Sequence, residues 1–451
     1  MSVDASDAAL LLDLYELTMA SSYLAHGMRG DATFDLFVRK LPGERNFLVA
    51  CGLERALEYL ETLHFDAHAL ACLRNMGLFN EAFLTELGKL RFTGEVWAVP
   101  EGELVFAEEP ILRVTGPIAE AQLVETFLLN CVLFETMIAS KAARVTLAAR
   151  GKAWSEFGMR RAHGSDAAVR GGRAAYLAGA GSTSNVLSAS QFGIPPSGTM
   201  AHSFVMAFDT ERHAYETFAG DHGERTILLI DTWDTLQGAR IAAEVARVLV
   251  DQGDAIRGVR IDSGDFLEAS RAVRKILDDA GHSKLQIFIS GDLDEHQIAR
   301  LLDAGAPIDA FGVGTQVATS ADAPALGGVY KLSEYAGSPR MKLSAQKITL
   351  PGRKQVFRVE ESGRWVKDVI ALENETIPNA RPLLEPIMRG GRRLNEPESL
   401  TDARARCLRR IAALPEPLRD LEHPVKWPVE RSPGLQALID ETTAQLRSRS
   451  P

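Results

Sequence analysis

Short apolar segments alternate with helical stretches between about residues 140 and 330. The spacing predicts helices over 237–252, 266–280 and 294–304 and strands at Ala174–Leu177, Phe204–Phe208, Ile227–Ile230, Gly258–Ile261, Gln286–Ile289 and Ala310–Val313. Strands that alternate with helices in this way form parallel sheets, and this many repeats predict a closed or nearly closed α/β barrel. In such barrels the chemistry lies at the carboxyl ends of the strands.

The regions on either side of the predicted barrel have a different pattern. Residues 1–118 contain predicted helices at 9–27 and 53–63, an alternating segment at 33–40 that favours a half-exposed strand, and short strands with turns between 94 and 116. The barrel is assigned to 119–340, and it begins with a helix at 119–150. In 341–451, strands at 355–359 and 365–372 precede a helix at 433–447. We therefore expect the C-terminal region to rejoin an antiparallel sheet that the N-terminal region begins.

Composition limits the function classes. The 451 residues are 46% hydrophobic and 24% charged, enough for a large core and two or more structural units. The net charge of -10 argues against a nucleic-acid partner or an anionic membrane surface, both of which favour a basic face. The four cysteines show no Cys-x-x-Cys spacing, which indicates neither a zinc site nor a disulfide framework. With no signal peptide and no run of about 20 apolar residues, a cytoplasmic location is predicted.

One histidine lies among glycine and hydroxyl residues. His202 falls within Ser197–Ser203, after Ile194-Pro195-Pro196. An imidazole on a turn rich in N–H donors is suited to accept and pass on a phosphoryl group. The alternative is a hydrogen-bonded loop histidine without a chemical role.

Four further turns follow predicted strands and carry glycine, hydroxyl or acidic residues. Such turns suit phosphates, and Asp231, Asp234 and Asp262 could meet Mg²⁺ through water. Structural ion pairs and helix caps are the alternative explanation for the same residues. The turns are Asp231–Asp234, Arg260–Asp265, Gly291–Asp292 and Gly312–Thr315.

An aromatic residue beside two arginines offers a site for a flat acid. Phe157 could stack on an aromatic ring while Arg160 or Arg161 holds its carboxylate. A core phenylalanine next to two solvated arginines is the competing interpretation.

Eight ordered segments together carry a family resemblance. They are 13–19 (DLYELTM), 39–42 (RKLP), 156–161 (EFGMRR), 183–187 (TSNVL), 197–203 (SGTMAHS), 231–235 (DTWDT), 260–265 (RIDSGD) and 312–315 (GVGT). The series resembles the nicotinate phosphoribosyltransferases over nearly the whole chain. The resemblance implies an irregular, TIM-like α/β barrel with an open-faced antiparallel sandwich domain, and a homodimer with shared active sites. It also implies the Mg²⁺-dependent joining of nicotinate to phosphoribosyl pyrophosphate in NAD salvage, coupled to ATP through a phosphohistidine.

The resemblance also implies roles at matching positions. His202 would be the phosphorylated residue, with Asp262 and Arg260 as further catalytic groups and Asp231 and Asp234 as candidate metal ligands. The implied nicotinate contacts are Tyr15 from the neighbouring subunit, Phe157, Arg160, Ser184, Gly198 and Arg260. The implied phosphoribosyl pyrophosphate contacts are Asp13, Arg39, Lys141, Arg160, Asp262, Gly291, Asp292, Gly312, Gly314 and Thr315.

One turn of the sequence bears on the choice between nicotinate and nicotinamide. Nicotinamide-using relatives place an aspartate in the turn equivalent to Gly181–Asn185, whereas this chain has neutral groups there. A carboxylate would be repelled by that aspartate and tolerated by Ser184. Nicotinamide, quinolinate, a barrel lyase or isomerase acting on a sugar phosphate, and a non-catalytic nucleotide-responsive dimer remain the alternatives.

Overall fold

The computed structural model describes residues 7–251, 255–343 and 349–449. The chain divides into two compact units, one formed by residues 1–140 with 323–451 and the other by residues 141–322. The boundaries expected from the sequence, after 118 and after 340, both fall inside the first of these units. The helix that was expected to open the barrel begins in the first unit and ends in the second.

Helices occur in both units. Four short 3₁₀ turns lie at Ala8–Leu10, Met159–Arg161, Gly223–Arg225 and Glu416–Arg419. The α-helices of the described residues are α1 Leu14–Ala25, α2 Leu53–Thr62, α3 Ala67–Asn75, α4 Glu81–Lys89, α5 Ile118–Leu123, α6 Glu125–Ala149, α7 Ser165–Leu177, α8 Val186–Phe192, α9 His202–Met206, α10 Glu211–His222, α11 Thr235–Asp251, α12 Phe266–Asp279, α13 Glu295–Asp303, α14 Thr315–Ala318, α15 Leu400–Ala413 and α16 Pro433–Arg449.

The longest strands lie in the first unit. They are β1 Asp31–Val38, β2 Leu48–Val49, β3 Glu95–Ala98, β4 Leu104–Val105, β5 Pro110–Pro117, β6 Ala153–Glu156, β7 Ser182–Thr183, β8 Ile227–Leu229, β9 Gly258–Ile261, β10 Gln286–Ser290, β11 Ala310–Val313, β12 Gly328–Tyr335, β13 Ser338–Pro339, β14 Lys354–Glu361, β15 Arg364–Leu372, β16 Ala380–Pro382, β17 Glu385–Arg389, β18 Arg392–Arg393 and β19 Val429–Arg431.

The second unit is built on a parallel sheet of six strands in the order β7-β6-β11-β10-β9-β8, curled into a half-barrel. Helices α11, α12 and α13 follow β8, β9 and β10 in turn, which is the βαβ pattern that the sequence predicts. The predicted strands at 227–230, 258–261, 286–289 and 310–313 are confirmed to within one residue. The predicted end of α11 at residue 252 lies outside the described residues. Closure into a complete barrel stays a prediction.

Two predicted strands are wrong. Residues 174–177 belong to helix α7, where Gly172 is so close to α8 that an added Cβ would lie 2.6 Å from Ser188 Oγ. Residues 204–208 lie largely in the short helix α9, where the Phe204 ring packs against Phe208 and Phe218. Both are short apolar runs, which do not distinguish a buried strand from a buried helix. Two strands of the parallel sheet, β6 and β7, were not predicted.

The first unit contains two larger, mainly antiparallel sheets, of which the first combines strands from both chain ends and the second has strands from the C-terminal region alone. One has the order β13-β12-β1-β5-β3-β17-β18, and the other, β16-β14-β15-β19, gains β19 as a parallel edge strand. The C-terminal region therefore does return to the N-terminal sheet, as expected. Helix α15 was not predicted in the proline- and arginine-rich tail.

Strand β1 is nearly all buried, so the expectation of a half-exposed strand is wrong. Its polar residues find partners inside the unit: Asp35 forms an ion pair with buried Lys354 at 2.8 Å, and Thr33 shares a hydroxyl hydrogen bond with Thr115 at 3.0 Å. Alternation of polar and apolar residues indicates two faces, but partnered polar groups allow both faces to be covered.

Helix α6 is long and apolar enough to cross a membrane. Its 25 residues have a mean hydropathy of 1.2 in the most apolar window, of which 72% is buried inside the protein. Core helices of globular proteins have the same length and composition, so this helix is weak support for a membrane span. Polar residues interrupt the sequence of this helix, so it contains no uninterrupted apolar run of that length.

A buried carboxyl group joins α1 to α6 within the first unit. Glu16 is fully buried, and its Oε1 accepts hydrogen bonds from Thr126 N at 2.9 Å and Thr126 Oγ1 at 2.5 Å. Burial raises the pKa of Glu16 to about 8; the Thr126 bonds oppose the rise, and the carboxylates of Glu125 and Asp13 add to it. The protein therefore holds this proton at a pH where an exposed glutamate has lost it.

Replacing Glu16 with glutamine should remove a pH dependence of stability. The unfolded chain releases the Glu16 proton near 4.5 and the folded chain near 8, so the folded state binds more protons between these values. The wild-type free energy of unfolding, relative to that of E16Q, should therefore fall as pH rises, by up to about 1.4 kcal/mol per pH unit. Urea unfolding of both proteins at pH 5, 6, 7 and 8 measures this difference in the free energy of unfolding.

Glu86→Gln is the control for this comparison. Lys89 and Arg29 lower the pKa of the exposed Glu86 carboxyl, so its titration lies below this pH range. A stability difference between the wild type and E16Q that stays constant from pH 5 to 8 would contradict the buried-proton account.

Candidate active site

A cavity of about 610 Å³ lies in the second unit at the carboxyl ends of its parallel strands. Its walls come from the turns that follow β6, β9, β10 and β11 and from the segment that precedes α9. The lining residues are Phe157, Met159, Arg160, Arg161, Ser184, Gly198, Thr199, Met200, Ala201, His202, Arg260, Asp262, Ser290, Gly291, Asp292, Gly312, Gly314 and Thr315. Segments separated by more than 150 residues thus meet around one space large enough for a small molecule.

The aromatic wall is held by a buried carboxylate. Glu156, the last residue of β6, accepts a hydrogen bond from Thr183 Oγ1 at 2.7 Å and another from Gly158 N. Burial raises the pKa of Glu156, and these two donors oppose the rise. The bonds shape the turn that places the Phe157 ring in the cavity. A Cβ added to Gly312 would lie 2.6 Å from that ring, so only glycine leaves room for it.

Arg260 on β9 connects the strand to the segment before His202. Its Nη atoms donate to Thr199 Oγ1 and to Met200 O, the latter at 3.0 Å. Its Nε is buried and has no acceptor among the described residues. Burial lowers the pKa of the guanidinium, whereas the carboxylates of Asp262 and Asp231 favour its charged form. The site therefore contains a desolvated cation with one donor still available.

The turns after β9 and β10 contact each other. Ser290 Oγ donates to Asp262 Oδ1 at 2.5 Å, and Gly291 has a φ of +104°. A Cβ at Gly291 would lie 2.0 Å from the carbonyl oxygen of Asp262, so both the conformation and the close approach require glycine. Asp292 follows with a φ of +45°. Such a turn exposes backbone N–H groups, as phosphate-binding turns do.

His202 is the first residue of α9 and lies at the rim of the same cavity. Its Nδ1 is 3.2 Å from Thr232 Oγ1, in the turn that follows β8. When Nδ1 donates to that hydroxyl, the lone pair of Nε2 is free for chemistry.

The two aspartates of the β8 turn have different surroundings. Asp231 Oδ2 accepts from Asp262 N at 2.9 Å and from Ser263 Oγ at 2.7 Å, while its Oδ1 is buried without a donor among the described residues. Asp234 Oδ1 accepts from Gln237 N at 2.7 Å and so caps α11. Neither side chain lines the cavity. Asp234 fits the helix-cap alternative, and Asp231 keeps an oxygen suited to a hard cation.

Lys141 does not line the cavity. Its Nζ is buried between Glu295 Oε2 at 2.6 Å and Asp322 Oδ1 at 2.9 Å, and Arg144 also binds Glu295 at 2.7 Å. The structure therefore places Lys141 in a buried ion-pair network outside the cavity, and the pyrophosphate contact that the resemblance implies stays a prediction.

Three of the expected site residues belong to the first unit. Asp13 Oδ2 lies 2.8 Å from Thr126 Oγ1, and Tyr15 is 45% exposed beside Glu125. Arg39 lines a separate cavity of about 410 Å³, whose walls also include Lys40, Arg45 and Lys426.

Some lining residues were not selected from the sequence. Met159 adjoins Arg160, Thr199 to Ala201 lie inside the 197–203 segment, and Ser290 ends β10 just before Gly291. Adjacency to a selected residue was the available signal for each. Ser290 matters most, because its hydroxyl holds the Asp262 carboxylate.

A half-barrel with a cationic, glycine-lined cavity at its strand ends is typical of α/β proteins that bind small anionic ligands. Comparison with known proteins makes this specific. Residues 10–133, 153–347 and 378–439 match, in order, the nicotinate phosphoribosyltransferase (NAPRTase) N-terminal domain, the NAPRTase family and the NAPRTase C-terminal domain. The chain belongs to the nicotinate phosphoribosyltransferase family.

Individual relatives support the same family. The Mycobacterium tuberculosis nicotinate phosphoribosyltransferase pncB2 is 50% identical over 94% of this chain and 91% of its own length. The Bacillus subtilis nicotinate phosphoribosyltransferase is 42% identical over 83% of this chain and 78% of its own. Human nicotinic acid phosphoribosyltransferase superposes with a TM-score of 0.85 at 30% identity, covering 95% of this chain and 99% of that one. A nicotinate-nucleotide pyrophosphorylase from Pyrococcus furiosus gives 0.75 at 27% identity, with 92% and 97% covered.

Gly312→Ala should destabilise the protein, because the new methyl group overlaps the Phe157 ring. Overpacking of this kind costs about 1–3 kcal/mol. Gly198→Ala is the matched control: this glycine lines the same cavity, but no atom lies within 4 Å of the added Cβ. Urea unfolding of both variants checks the prediction, and equal stabilities would show that the ring moves without cost.

Proposed function

We propose that this protein joins nicotinate to 5-phosphoribosyl 1-pyrophosphate, giving nicotinate mononucleotide and pyrophosphate, as a step of NAD salvage. The observation that carries the proposal is the single cavity in which Phe157, Arg260, Asp262 and the glycine turns meet. The names of relatives at 50% and 42% identity support it. Incubation with radiolabelled nicotinate, phosphoribosyl pyrophosphate and Mg²⁺, with and without ATP, tests it directly by detection of the mononucleotide.

The cavity suits a planar carboxylate. The pyridine ring lies against Phe157, and its carboxylate accepts from Arg260, whose buried Nε has a hydrogen atom to donate. Arg160 adds a second guanidinium at the wall. A charged hydrogen bond inside a partly desolvated site is stronger than the same bond in water, so it orients the ring nitrogen toward the sugar.

The other wall suits the phosphoribosyl group. The turns at Gly291–Asp292 and Gly312–Thr315 receive the 5'-phosphate through backbone N–H groups. The bond from ribose C1 to the pyrophosphate oxygen breaks as the bond to the pyridine nitrogen forms, which leaves positive charge on the sugar. The Asp262 carboxylate, oriented by Ser290, stabilises that charge.

Mg²⁺ would neutralise the leaving pyrophosphate. Asp231 would meet the ion through water, because its side chain does not line the cavity, its Oδ1 has no hydrogen-bond donor among the described residues, and carboxylate oxygens are the ligands that Mg²⁺ prefers. Asp234 fits only through its second oxygen, since Oδ1 caps α11.

ATP is the co-substrate of the proposed ligase-type coupling. His202 Nε2 attacks the γ-phosphorus of ATP, the bond to the bridging oxygen breaks, and ADP leaves. Later hydrolysis of the phosphohistidine releases inorganic phosphate and restores the imidazole. The added charge lies in the segment that Arg260 ties to β9, so phosphorylation alters the same wall that binds nicotinate.

The remaining parts of the proposal concern assembly. A cytoplasmic homodimer would bring Tyr15, and with it Asp13 and Arg39, from one subunit to the active site of the other, and the half-barrel would be the main part of an irregular TIM-like barrel. The 45% exposure of Tyr15 supports this, because an aromatic side chain at the start of α1 is available for contact.

His202→Ala should abolish the stimulation of mononucleotide formation by ATP while leaving some ATP-independent transfer, because the phosphoryl acceptor is lost and the cavity remains. Acid-labile label from γ-³²P ATP should appear on the wild type and not on the variant. His163→Ala is the control, since His163 is exposed and does not line the cavity. Full ATP coupling in the His202 variant would refute the assignment.

Ser184→Asp should shift the substrate preference from nicotinate toward nicotinamide. Ser184 lines the cavity, and a carboxylate there repels nicotinate at a cost of at least tenfold in kcat/KM. Ser184→Asn has nearly the same shape without the charge and should keep the nicotinate preference. The ratio of kcat/KM for nicotinate to that for nicotinamide should differ between the two variants. The same ratio in both would show that Ser184 does not select the substrate.

A further inference from the structure

One tryptophan of this protein is exposed, and it lies beside the reactive histidine. Trp233 is 59% exposed, whereas Trp154, Trp365 and Trp427 are buried and Trp97 is half-buried. Leaving a large apolar ring in water forgoes the stabilisation of its burial. An exposed tryptophan on the turn that contacts His202 offers a flat aromatic face on which a ligand ring can stack.

The turn that presents Trp233 is fixed on both sides. Asp231 Oδ2 holds its start through two hydrogen bonds, and Asp234 caps α11 at its end. Helix α11 then packs so closely on the end of β8 that a Cβ at Gly238 would lie 2.2 Å from Ile230 O. A ring on a fixed turn loses little freedom when a ligand stacks on it.

The turn also contacts His202. Thr232, adjacent to Trp233 in the chain, has its Oγ1 3.2 Å from His202 Nδ1. On the other segment, Met206 follows His202 by one helical turn and is 64% exposed. Each of the two contacting residues is therefore followed in the chain by an exposed apolar side chain: Met206 after His202, and Trp233 after Thr232.

We propose that Trp233 is the stacking platform for the base of the nucleoside triphosphate that phosphorylates His202. The inference rests on the proposed function and adds to it a residue that binds the nucleotide. With the γ-phosphate at His202, the base lies beyond the triphosphate and outside the group-transfer centre, and a flat exposed ring meets it there. Stacking recognises the face of a ring, so purine nucleotides gain from Trp233 and inorganic tripolyphosphate does not.

Trp233→Ala tests this. Loss of one base–aromatic stack should raise the KM for ATP between about fivefold and a hundredfold. Trp233→Phe keeps a flat ring and should recover most of the affinity. Val250→Ala, which trims a 58%-exposed side chain at the far end of α11, is the control and should leave the KM for ATP unchanged.

A second measurement separates stacking from a structural effect. Dissociation constants for ATP and for tripolyphosphate are compared in the wild type, Trp233→Ala and Trp233→Phe. A loss confined to ATP supports the stack, and quenching of the exposed tryptophan emission by ATP should be absent from both variants. An equal loss for ATP and tripolyphosphate, or a KM for ATP like that of the Val250 control, would overturn it.

Measuring the oligomeric state tests whether Trp233 is exposed because it binds a second copy of the chain. If Trp233 is covered by a second copy, Trp233→Ala changes the mass in light scattering while the affinity for ATP stays constant, and the inference fails. Absence of any mononucleotide product in the wild type would overturn the proposed function itself, and the stacking proposal with it. Product formation with ATP coupling, but without an effect of Trp233→Ala, removes only the stacking proposal.

Discussion

The candidate site depends on one buried carboxylate. Glu156 ends β6, and its side chain binds the hydroxyl of Thr183 at the end of β7 and the amide of Gly158 in the next turn. A desolvated carboxylate is costly unless donors satisfy it, so the arrangement holds together only when both strands and the turn are in place. This turn places the Phe157 ring in the cavity, where Gly312 leaves space for it.

Arg260 plays the corresponding part for the segment that precedes His202. It is carried by a buried strand, yet two of its donors bind the segment that leads to His202. These bonds fix the irregular segment before His202 to strand β9, and so they position the histidine. Asp231 adds a link, because it binds the amide of Asp262 and lies beside Thr232, the partner of His202. His202 is thus linked through hydrogen bonds and adjacent residues to the Asp262 turn.

Much of the second unit could be predicted because its signals are local. The strands Gly258–Ile261 and Ala310–Val313 have the predicted bounds, since each is an apolar run that ends in acidic or glycine turn residues. Helix α7 was mistaken for a strand at 174–177 because small apolar residues are compatible with either structure when buried. Lys141 could not be placed from sequence, because its partners Glu295 and Asp322 are more than 150 residues away.

By itself the sequence determined the family, the alternation of strands and helices in the second unit, and the polar turns at the strand ends, because these depend on residue type and on short-range periodicity. Only the tertiary structure decided which of the selected side chains share a cavity. It brought Phe157, His202, Arg260 and Gly291 together, placed Lys141 in a buried ion-pair network, and made Asp234 a helix cap. The physical reason is that burial and hydrogen-bond partners are set by residues distant in the chain, which no local pattern records.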